Sequence, residues 1–274
     1  MSDSAQLQQG DWSTLVGRLL MSGDVIGWQR VVSSEQARVF YSSSLNVYCK
    51  IFINFKIRDT LRAMVFPYFS RSNQFIRHNR RLVDSQFSAP RVVASGTVNR
   101  HGWVATEGLP GIGLGYLLAT YLRGREIPRS LLRWKWQLMS ALGREVARLH
   151  NAGIYHGDLR PNNILVDLKP VANFGFIDNE RNKDGFQVLS NRLQIKNLVQ
   201  LNMVWPEDLS ASCRLRFMRA YAMERGEAID LKKMVMKVSV LTQQRLRGKA
   251  KGGYALLDPG QYQSQVDKLV EMLQ

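Results

Sequence analysis

The stretch that most constrains the fold is residues 156–178, which joins a predicted helix to a predicted β-hairpin. Before it, apolar residues recur at helical spacing from Leu131 to Asn151, and Gly153 supplies a stop. Within it, the apolar runs 164–166 and 172–177 predict two short paired strands. The chain is therefore expected to leave a long helix, pass through a polar loop and return as a hairpin.

Three polar residues of this stretch form a pattern suited to phosphoryl transfer. Asp158 lies in the loop, where a carboxylate can accept the proton of an attacking hydroxyl. Asn163 and Asp178 flank the hairpin and carry the oxygen ligands that Mg²⁺ prefers. Isolated aspartates usually mark turns and strand ends, but this joint spacing predicts an ATP- and Mg²⁺-dependent phosphotransferase.

The chain before residue 107 predicts a small antiparallel sheet. Strands are expected at 28–32, 38–41, 46–52, 90–94 and 102–106. Between them, residues 58–83 are interrupted by Pro67 and predict a helix, a bend and a second helix. After Asp178 the pattern is mostly helical, with turns at Pro206 and at 252–260.

A run of helix breakers divides the predicted elements into two lobes. We expect an N-terminal extension over 1–27, an N-lobe over 28–106, a hinge over 107–113 and a C-lobe over 114–274. The C-lobe would carry the catalytic loop and the basic C-terminal helices.

The chain is strongly basic, with 38 Lys and Arg against 22 Asp and Glu and a formal net charge of +16. A field of this sign attracts polyanions. Its densest part is 214–251, with eleven basic residues against Glu224, Glu227 and Asp230. The sequence lacks a zinc spacing and an aromatic–basic RNA-binding signature, so no specific nucleic-acid partner is expected.

The cysteines and the first residues of the chain indicate the cellular compartment in which the protein works. Cys49 and Cys213 lie far apart without a paired-thiol or zinc spacing, which indicates a reducing environment. Residues 1–10 are polar and lack the apolar run of a secretory signal. No stretch reaches the roughly 18 apolar residues of a membrane-spanning helix. We therefore expect a cytoplasmic protein.

The loop and hairpin resemble the catalytic loop and metal-binding aspartate of protein-kinase-like phosphotransferases, over roughly residues 28–205. Within that superfamily the chain most resembles the lipopolysaccharide kinase (Kdo/WaaP) family. Three stretches carry this closer resemblance: Val-Tyr-Cys-Lys-Ile-Phe at 47–52, Ala-Thr-Glu-Gly-Leu-Pro-Gly at 105–111, and 150–158 running on to Asp178. The resemblance implies an α+β, protein-kinase-like bilobal fold with a small antiparallel-sheet N-lobe and a mainly helical C-lobe.

The resemblance also implies a role for each candidate residue. Asp158 would be the catalytic base, and Asn163 and Asp178 the metal ligands. Lys50 would hold the α- and β-phosphates of ATP. Backbone groups of the hinge, at Glu107 and Leu109, would bind the adenine.

The acceptor implied by the resemblance is a sugar hydroxyl of Kdo or heptose in the lipopolysaccharide inner core, a molecule that bears phosphates and carboxylates. Basic surface would then contact both the acceptor and an anionic membrane surface. The candidates are residues 214–251 and the arginines between 58 and 81. We expect peripheral contact with the inner face of the cytoplasmic membrane.

The sequence departs from the superfamily pattern around Lys50. Residues 60–83 contain no Asp or Glu, so the helix glutamate that usually positions this lysine is missing, and His78, Asn79 or Asp84 are the alternatives. Residues 33–36 contain no glycine where a Gly-rich loop would approach the phosphates. These departures leave a nucleotide-binding pseudokinase open, and the His-Gly-Asp form leaves an atypical protein kinase or small-molecule kinase open.

Two further departures bear on regulation. Gly157 stands where regulated protein kinases have an arginine that grips a phosphorylated loop. Asp178 is followed by Asn-Glu rather than Phe-Gly, so a switch that flips an aromatic ring is not expected there. The resemblance therefore implies activity that does not depend on loop phosphorylation.

Overall fold

The computed structural model describes residues 9–31, 33, 35–53, 70–123, 127–226, 229–247 and 263–273. The chain divides into two compact units. One comprises Met1–Leu82 and Ala89–Leu109, and the other comprises Val83–Ser88 and Pro110–Gln274. In the described part of the chain, no helix is both long and apolar enough to cross a membrane.

The first unit is built on a five-stranded antiparallel sheet with the strand order β1-β2-β3-β5-β4. Its strands are β1 (Gln29–Val31), β2 (Ala37–Ser42), β3 (Val47–Phe52), β4 (Val92–Val98) and β5 (His101–Glu107). All five predicted strands are confirmed, and β4 continues to Val98, beyond its predicted end. The register shifts between Val92 and Ala94 where β4 pairs with β5.

Helix α1 (Gln9–Met21) covers one face of this sheet. Trp12, Val16 and Leu19 are buried in one core with side chains of β3 and with Trp103. The Trp12 ring stacks on the Trp103 ring at a centroid distance of 6.2 Å. The spacing of 12, 16 and 19 places all three on one helical face. Residues assigned to an N-terminal extension thus supply part of the sheet's core.

Helix α2 (Arg71–Asp84) packs on the sheet through Phe75, which lies 6.5 Å from the Phe52 ring in a small core that also includes Val104. Phe52 and Lys50 alternate with the β3 residues that face α1, so they share the opposite face of the strand. The second helix predicted within 58–83 is confirmed. The first helix and Pro67 lie outside the described residues.

The second unit is mainly helical. In chain order its described α-helices and β-strands are β6 (Ile112–Gly113), α3 (Leu114–Thr120), α4 (Arg129–Asn151), β7 (Ile164–Asp167), β8 (Asn173–Phe176), α5 (Asn191–Leu201), α6 (Ala211–Arg225), α7 (Leu231–Arg247) and α8 (Gln263–Met272). Short 3-10 helices lie at Pro161–Asn163 and Asn179–Arg181. Strands β6, β7 and β8 form a small antiparallel sheet. The long helix and the hairpin predicted around the polar loop are confirmed, whereas the turn predicted at 252–260 lies outside the described residues.

Candidate active site

The polar loop begins where α4 ends, and a glycine makes that end possible. Gly153 has a φ of +68°, and its N–H donates to the carbonyl of His150 at 3.1 Å. A Cβ on Gly153 would lie 1.9 Å from the carbonyl oxygen of Phe186. The predicted stop is confirmed, because only glycine fits both this backbone conformation and this close approach.

Asn163 and Asp178 lie beside one another at the open end of the hairpin. Ile164 is paired with Phe176, and the Ile177 N–H donates to the Asn163 carbonyl at 3.0 Å. Asp178 has a left-handed backbone, with φ 66° and ψ 44°. Such a conformation costs a non-glycine residue roughly 1–3 kcal/mol and persists where its surroundings impose it. The hairpin therefore brings both candidate metal ligands to one edge of the sheet.

Asp158 is almost buried, with 9% of its surface exposed, and the loop backbone around it is fixed. Its N–H donates to Nδ1 of His156 at 3.2 Å, and its carbonyl accepts from Nδ2 of Asn163 at 2.8 Å. The candidate base and one candidate metal ligand are thus joined by a direct hydrogen bond. This fixes their spacing before any substrate is bound.

Arg160 returns to Asp158 and forms a two-pronged ion pair with it. Nε of Arg160 donates to Oδ1 of Asp158 at 2.8 Å, and Nη2 donates to Oδ2. The carboxylate raises the pKa of Arg160, chiefly through this side-chain hydrogen bond. Sequence reasoning missed Arg160, although its position two residues after Asp158 in a tight turn was a usable signal. A fixed positive charge therefore stands beside the candidate base.

His156 connects the loop to the end of the hairpin. It is fully buried, and burial lowers its pKa to about 4, so the ring is neutral near pH 7. Nε2 lies 3.2 Å from the Ile177 carbonyl, which can only accept, so Nε2 carries the proton. Nδ1 is then the acceptor for the Asp158 N–H. One neutral ring thereby ties Asp158 to the residue that precedes Asp178.

The loop backbone is also held by amide side chains of α5. Oδ1 of Asn197 accepts from the His156 N–H at 3.2 Å, and its Nδ2 donates to the His156 carbonyl at 2.6 Å. Nε2 of Gln200 donates to the Gly157 carbonyl at 3.2 Å. The sequence analysis did not predict a role for these residues. The three-residue spacing of Gln194, Asn197 and Gln200 among apolar neighbours could have indicated one, because it places three amides on one face of a buried helix.

Behind Asn197 the hydrogen bonds continue into two other helices. Nε2 of His150, in α4, lies 3.2 Å from Oδ1 of Asn197, and its Nδ1 lies 2.8 Å from the Tyr221 hydroxyl of α6. The Tyr221 hydroxyl is also 3.0 Å from Oε1 of Gln194. Burial lowers the pKa of His150 to about 4. Three helices thus fix the backbone on the N-terminal side of Asp158 through buried polar contacts.

The segment after Asp178 packs directly against Gly157. The Gly157 N–H donates to Oδ1 of Asn182 at 3.0 Å, and a Cβ on Gly157 would lie 2.1 Å from the Arg181 carbonyl oxygen. Tyr155 and Lys183 exchange two backbone hydrogen bonds, of 2.8 and 2.9 Å. A side chain at position 157 therefore has no room in this arrangement.

Lys50 lies in the middle of β3, paired with Val39 of β2 and Val104 of β5, and is half-buried. Its Nζ is 5.3 Å from the centre of the Phe52 ring. Two of the residues on α2 that were considered in place of the missing glutamate partner of Lys50 differ in exposure. Asn79 is buried and its Nδ2 donates to the Pro90 carbonyl, while Asp84 is exposed at the end of the helix. The amide nitrogen of Asn79 is therefore bonded to the backbone between α2 and β4.

The hinge residues Glu107 and Leu109 belong to the first unit. Glu107 ends β5, and its carboxylate pairs with the exposed Arg91, whose side-chain hydrogen bond lowers the pKa of Glu107. Between them, Gly108 donates its N–H to the Asn46 carbonyl at 2.8 Å and accepts from Nδ2 of Asn46 at 3.3 Å. The start of the hinge is thus fixed to the turn between β2 and β3.

The donor set at the end of the hairpin fits a hard divalent cation. The amide nitrogen of Asn163 donates to the Asp158 carbonyl, so the side-chain oxygen of Asn163 can serve as a metal ligand. Asp178 supplies a carboxylate as a second ligand. Two side-chain oxygens with solvent in the remaining positions are typical of Mg²⁺ sites that also bind phosphates. Asp158, Asn163 and Asp178 are brought together within the second unit, whereas Lys50, Glu107 and Leu109 lie in the first.

Comparison with solved structures defines the class of fold. The chain is 21% identical to the structure described as WaaP in complex with acyl carrier protein, with a TM-score of 0.56. The match covers 84% of this chain and 93% of that one. The chain is 15% identical to a type VIII aminoglycoside-3′-phosphotransferase, with a TM-score of 0.51. This second match covers 85% of this chain and 98% of that one. At these identities the likeness is one of fold. The predicted α+β, protein-kinase-like fold is confirmed.

The particular family follows from the sequence. The model of the lipopolysaccharide kinase (Kdo/WaaP) family matches residues 23–221, and the chain belongs to this family. A relative from Escherichia coli, the O-antigen chain terminator bifunctional methyltransferase/kinase WbdD, is 35% identical over 107 residues. That match covers 38% of this chain but only 14% of the relative.

Proposed function

We propose that this protein is an ATP- and Mg²⁺-dependent kinase that phosphorylates a hydroxyl of Kdo or heptose in the lipopolysaccharide inner core. The observation that carries the proposal is the fixed loop around Asp158, with Asn163 bonded to the Asp158 carbonyl at 2.8 Å. Phosphoryl transfer depends on such prepositioning, because the protein contributes little covalent chemistry.

In the proposed reaction, Asp158 accepts the proton of the sugar hydroxyl as its oxygen attacks the γ-phosphorus of ATP. The bond from that phosphorus to the β–γ bridging oxygen breaks, and ADP leaves with the electron pair. Arg160, already paired with Asp158, brings a guanidinium close to the transferred group. Such a charge stabilises the phosphoryl oxygens most in the transition state.

The remaining assignments concern the nucleotide. Asn163 and Asp178 would hold Mg²⁺, which would supply positive charge to neutralise the phosphates. Lys50 would bind the α- and β-phosphates, and backbone groups at Glu107 and Leu109 the adenine. Support for Lys50 is its place in the centre of β3, where the paired strands limit its backbone freedom.

The proposed acceptor accounts for the charge of the chain. The lipopolysaccharide core carries phosphates and carboxylates, and a protein with a net charge of +16 attracts such a molecule within about a Debye length of its surface, roughly 8–10 Å at physiological salt. We also infer a cytoplasmic location with peripheral attachment to the inner face of the cytoplasmic membrane, where a lipid-linked acceptor would be found.

The test is to incubate the full-length chain with ATP and Mg²⁺ and a panel of acceptors. The panel comprises deacylated inner-core oligosaccharide ending in Kdo or heptose, an aminoglycoside and a generic protein substrate. We expect ADP release and a mass gain of about 80 Da, one phosphate, on the oligosaccharide alone. An Asp158→Ala variant should lose about 10²- to 10⁴-fold in turnover while remaining folded. Transfer only to protein or aminoglycoside would overturn the acceptor assignment.

A pseudokinase is the second candidate, and α2 is the observation that favours it. This helix carries no acidic side chain before Asp84, at its exposed end. A regulatory nucleotide-binding protein would bind ATP in a Mg²⁺-dependent manner, measurable by calorimetry, without transferring phosphate to any acceptor in the panel. Turnover abolished by Asp158→Ala would exclude it.

A further inference from the structure

Helix α7 combines several basic side chains with the absence of any acidic side chain. It spans Leu231–Arg247, carries five basic side chains and contains no Asp or Glu. The sequence around it continues this bias, since residues 231–257 include seven Lys and Arg and no acid. The preceding Asp230 caps the helix, because its Oδ1 accepts from the Lys233 N–H at 3.0 Å.

One face of α7 is anchored to the protein. Val238 and Thr242 are buried, and the Thr242 hydroxyl accepts from Nδ2 of Asn202 at 3.0 Å while donating to the Val238 carbonyl at 2.7 Å. Val235 and Ser239 lie on the same side and line a small cavity shared with α5 and α6. The orientation of the helix about its axis is therefore fixed.

The opposite face is exposed and combines cations with apolar side chains. Its stripe follows the helical spacing 233, 236, 237, 240, 244, 247. Met236 and Val240 are 59% and 52% exposed, and Lys233 and Lys237 lie beside them. We call these four residues together with Lys232 the α7 patch. Apolar side chains held in water between lysines are a composition suited to a lipid headgroup layer.

We propose that the α7 patch is the surface through which this protein binds a bilayer of anionic phospholipids. The lysines would contact headgroup phosphates, with their alkyl stems lying along the interface, while Met236 and Val240 enter the boundary of the acyl chains. The inference rests on the peripheral attachment proposed above, and is independent of the acceptor sugar and of the catalytic residues.

The apolar pair favours lipid over other polyanions. Nucleic acid would bind through the lysines alone, since the stripe offers no aromatic ring on which a base could stack. Its affinity would therefore not depend on Met236 or Val240. An acidic protein could use the whole patch, so it is a separate outcome of the test.

The first experiment measures binding of the full-length chain to vesicles by flotation at 0.1 M salt. Vesicles of phosphatidylcholine alone are compared with vesicles that contain phosphatidylglycerol. A variant with Lys232→Gln, Lys233→Gln and Lys237→Gln should lose roughly 100-fold in partition coefficient on anionic vesicles, about fivefold for each lysine. The matched control removes three exposed arginines elsewhere in the second unit, with Arg133→Gln, Arg144→Gln and Arg192→Gln. Equal losses in both variants would overturn the proposal, since they would mean attraction by net charge alone.

The second experiment asks whether the apolar pair enters the bilayer. Both natural cysteines are buried, so a Val240→Cys variant can be labelled selectively with an environment-sensitive fluorophore. We expect a blue shift of its emission on anionic vesicles and none for the same label at Val171→Cys, in the exposed β7–β8 turn. An unshifted label at 240 on vesicles that bind the protein would also overturn the proposal.

The two proposals can fail separately. A variant with Met236→Ser and Val240→Ser should lose binding to anionic vesicles but phosphorylate soluble core oligosaccharide at the wild-type rate, because neither residue lies in the catalytic loop or carries the charge proposed to attract the acceptor. Loss of vesicle binding with retained turnover supports the α7 patch. Retained vesicle binding by this variant, together with loss of binding to an acidic protein partner, would reassign the patch to a protein interface.

Discussion

The side chain of Asn197 bonds both sides of the His156 backbone. Oδ1 accepts the His156 N–H at 3.2 Å, and Nδ2 donates to the His156 carbonyl at 2.6 Å. Asn197 is fully buried, so both bonds lie away from bulk solvent. Because His156 in turn accepts the N–H of Asp158, an amide on α5 positions the candidate base without touching it.

Replacing Asn197 by Ala should therefore reduce kcat by about 10- to 100-fold, since displacements of the order of 1 Å have effects of this size. KM for ATP should change little, because no assigned nucleotide contact is lost. Steady-state kinetics with both substrates varied separate the two parameters. Asn191→Ala, at the exposed start of the same helix, is the matched control and should resemble the wild type. Equal effects of Asn197→Ala on kcat and on KM for ATP would argue against a positioning role.

Arg160 provides a second prediction. Its side chain is 54% exposed although it is paired with Asp158, so we expect it also to contact an incoming phosphate. Arg160→Met should lower kcat by about 10²-fold, the usual loss for one group that stabilises transition-state charge. Arg160→Lys should recover part of it, because a point charge remains but the two-pronged geometry does not. Arg192→Met, an exposed arginine on α5, controls for the loss of charge. Wild-type turnover in Arg160→Met would remove Arg160 from the mechanism.

The parts of the fold that the sequence predicted are those set by local periodicity. The sheet strands, helix α4, the stop at Gly153 and the hairpin that joins Asn163 to Asp178 all follow from spacing within about twenty residues. Helix α1 has the same kind of signal in Trp12, Val16 and Leu19, but it was overlooked because polar residues precede it.

The contacts that escaped prediction depend on tertiary structure. Asn197 lies 41 residues after His156, and a polar residue in a helix is ordinarily assigned to the solvent face. Arg91 and Glu107 meet only because β4 and β5 are adjacent strands. Such pairings require the register of the elements, which periodicity within one segment does not contain.

Gly157 leads to a prediction about stability. An added Cβ would lie 2.1 Å from the Arg181 carbonyl oxygen, so Gly157→Ala must displace backbone on one side. We expect a loss of about 1–3 kcal/mol, seen as a fall in melting temperature, together with a fall in kcat. Gly17→Ala is the control, because its Cβ would meet only Val98 Cγ1 at 3.8 Å in the interior of α1. That substitution should be neutral or stabilising. A Gly157→Ala variant as stable and active as the wild type would mean that the loop and the 179–182 segment can separate freely.

The buried histidines give the last prediction, on acid sensitivity. Burial lowers the pKa of His150 and of His156 to about 4, against about 6.5 in an unfolded chain. Between these pH values the unfolded state binds more protons, so the free energy of unfolding rises with pH. The stabilisation is fully present above about pH 6.5 and is lost as the pH falls towards 4.

Each histidine contributes up to roughly 3 kcal/mol to this loss, at about 1.4 kcal/mol per unit of pKa difference. Denaturant titrations between pH 4 and 7.5 measure it. His150→Gln should be less stable at pH 7.5, because a buried contact to Tyr221 or Asn197 is lost, but between pH 7.5 and 4 it should lose up to roughly 3 kcal/mol less than the wild type. An acid loss in His150→Gln equal to that of the wild type would show that carboxylates, rather than the buried imidazoles, govern acid unfolding.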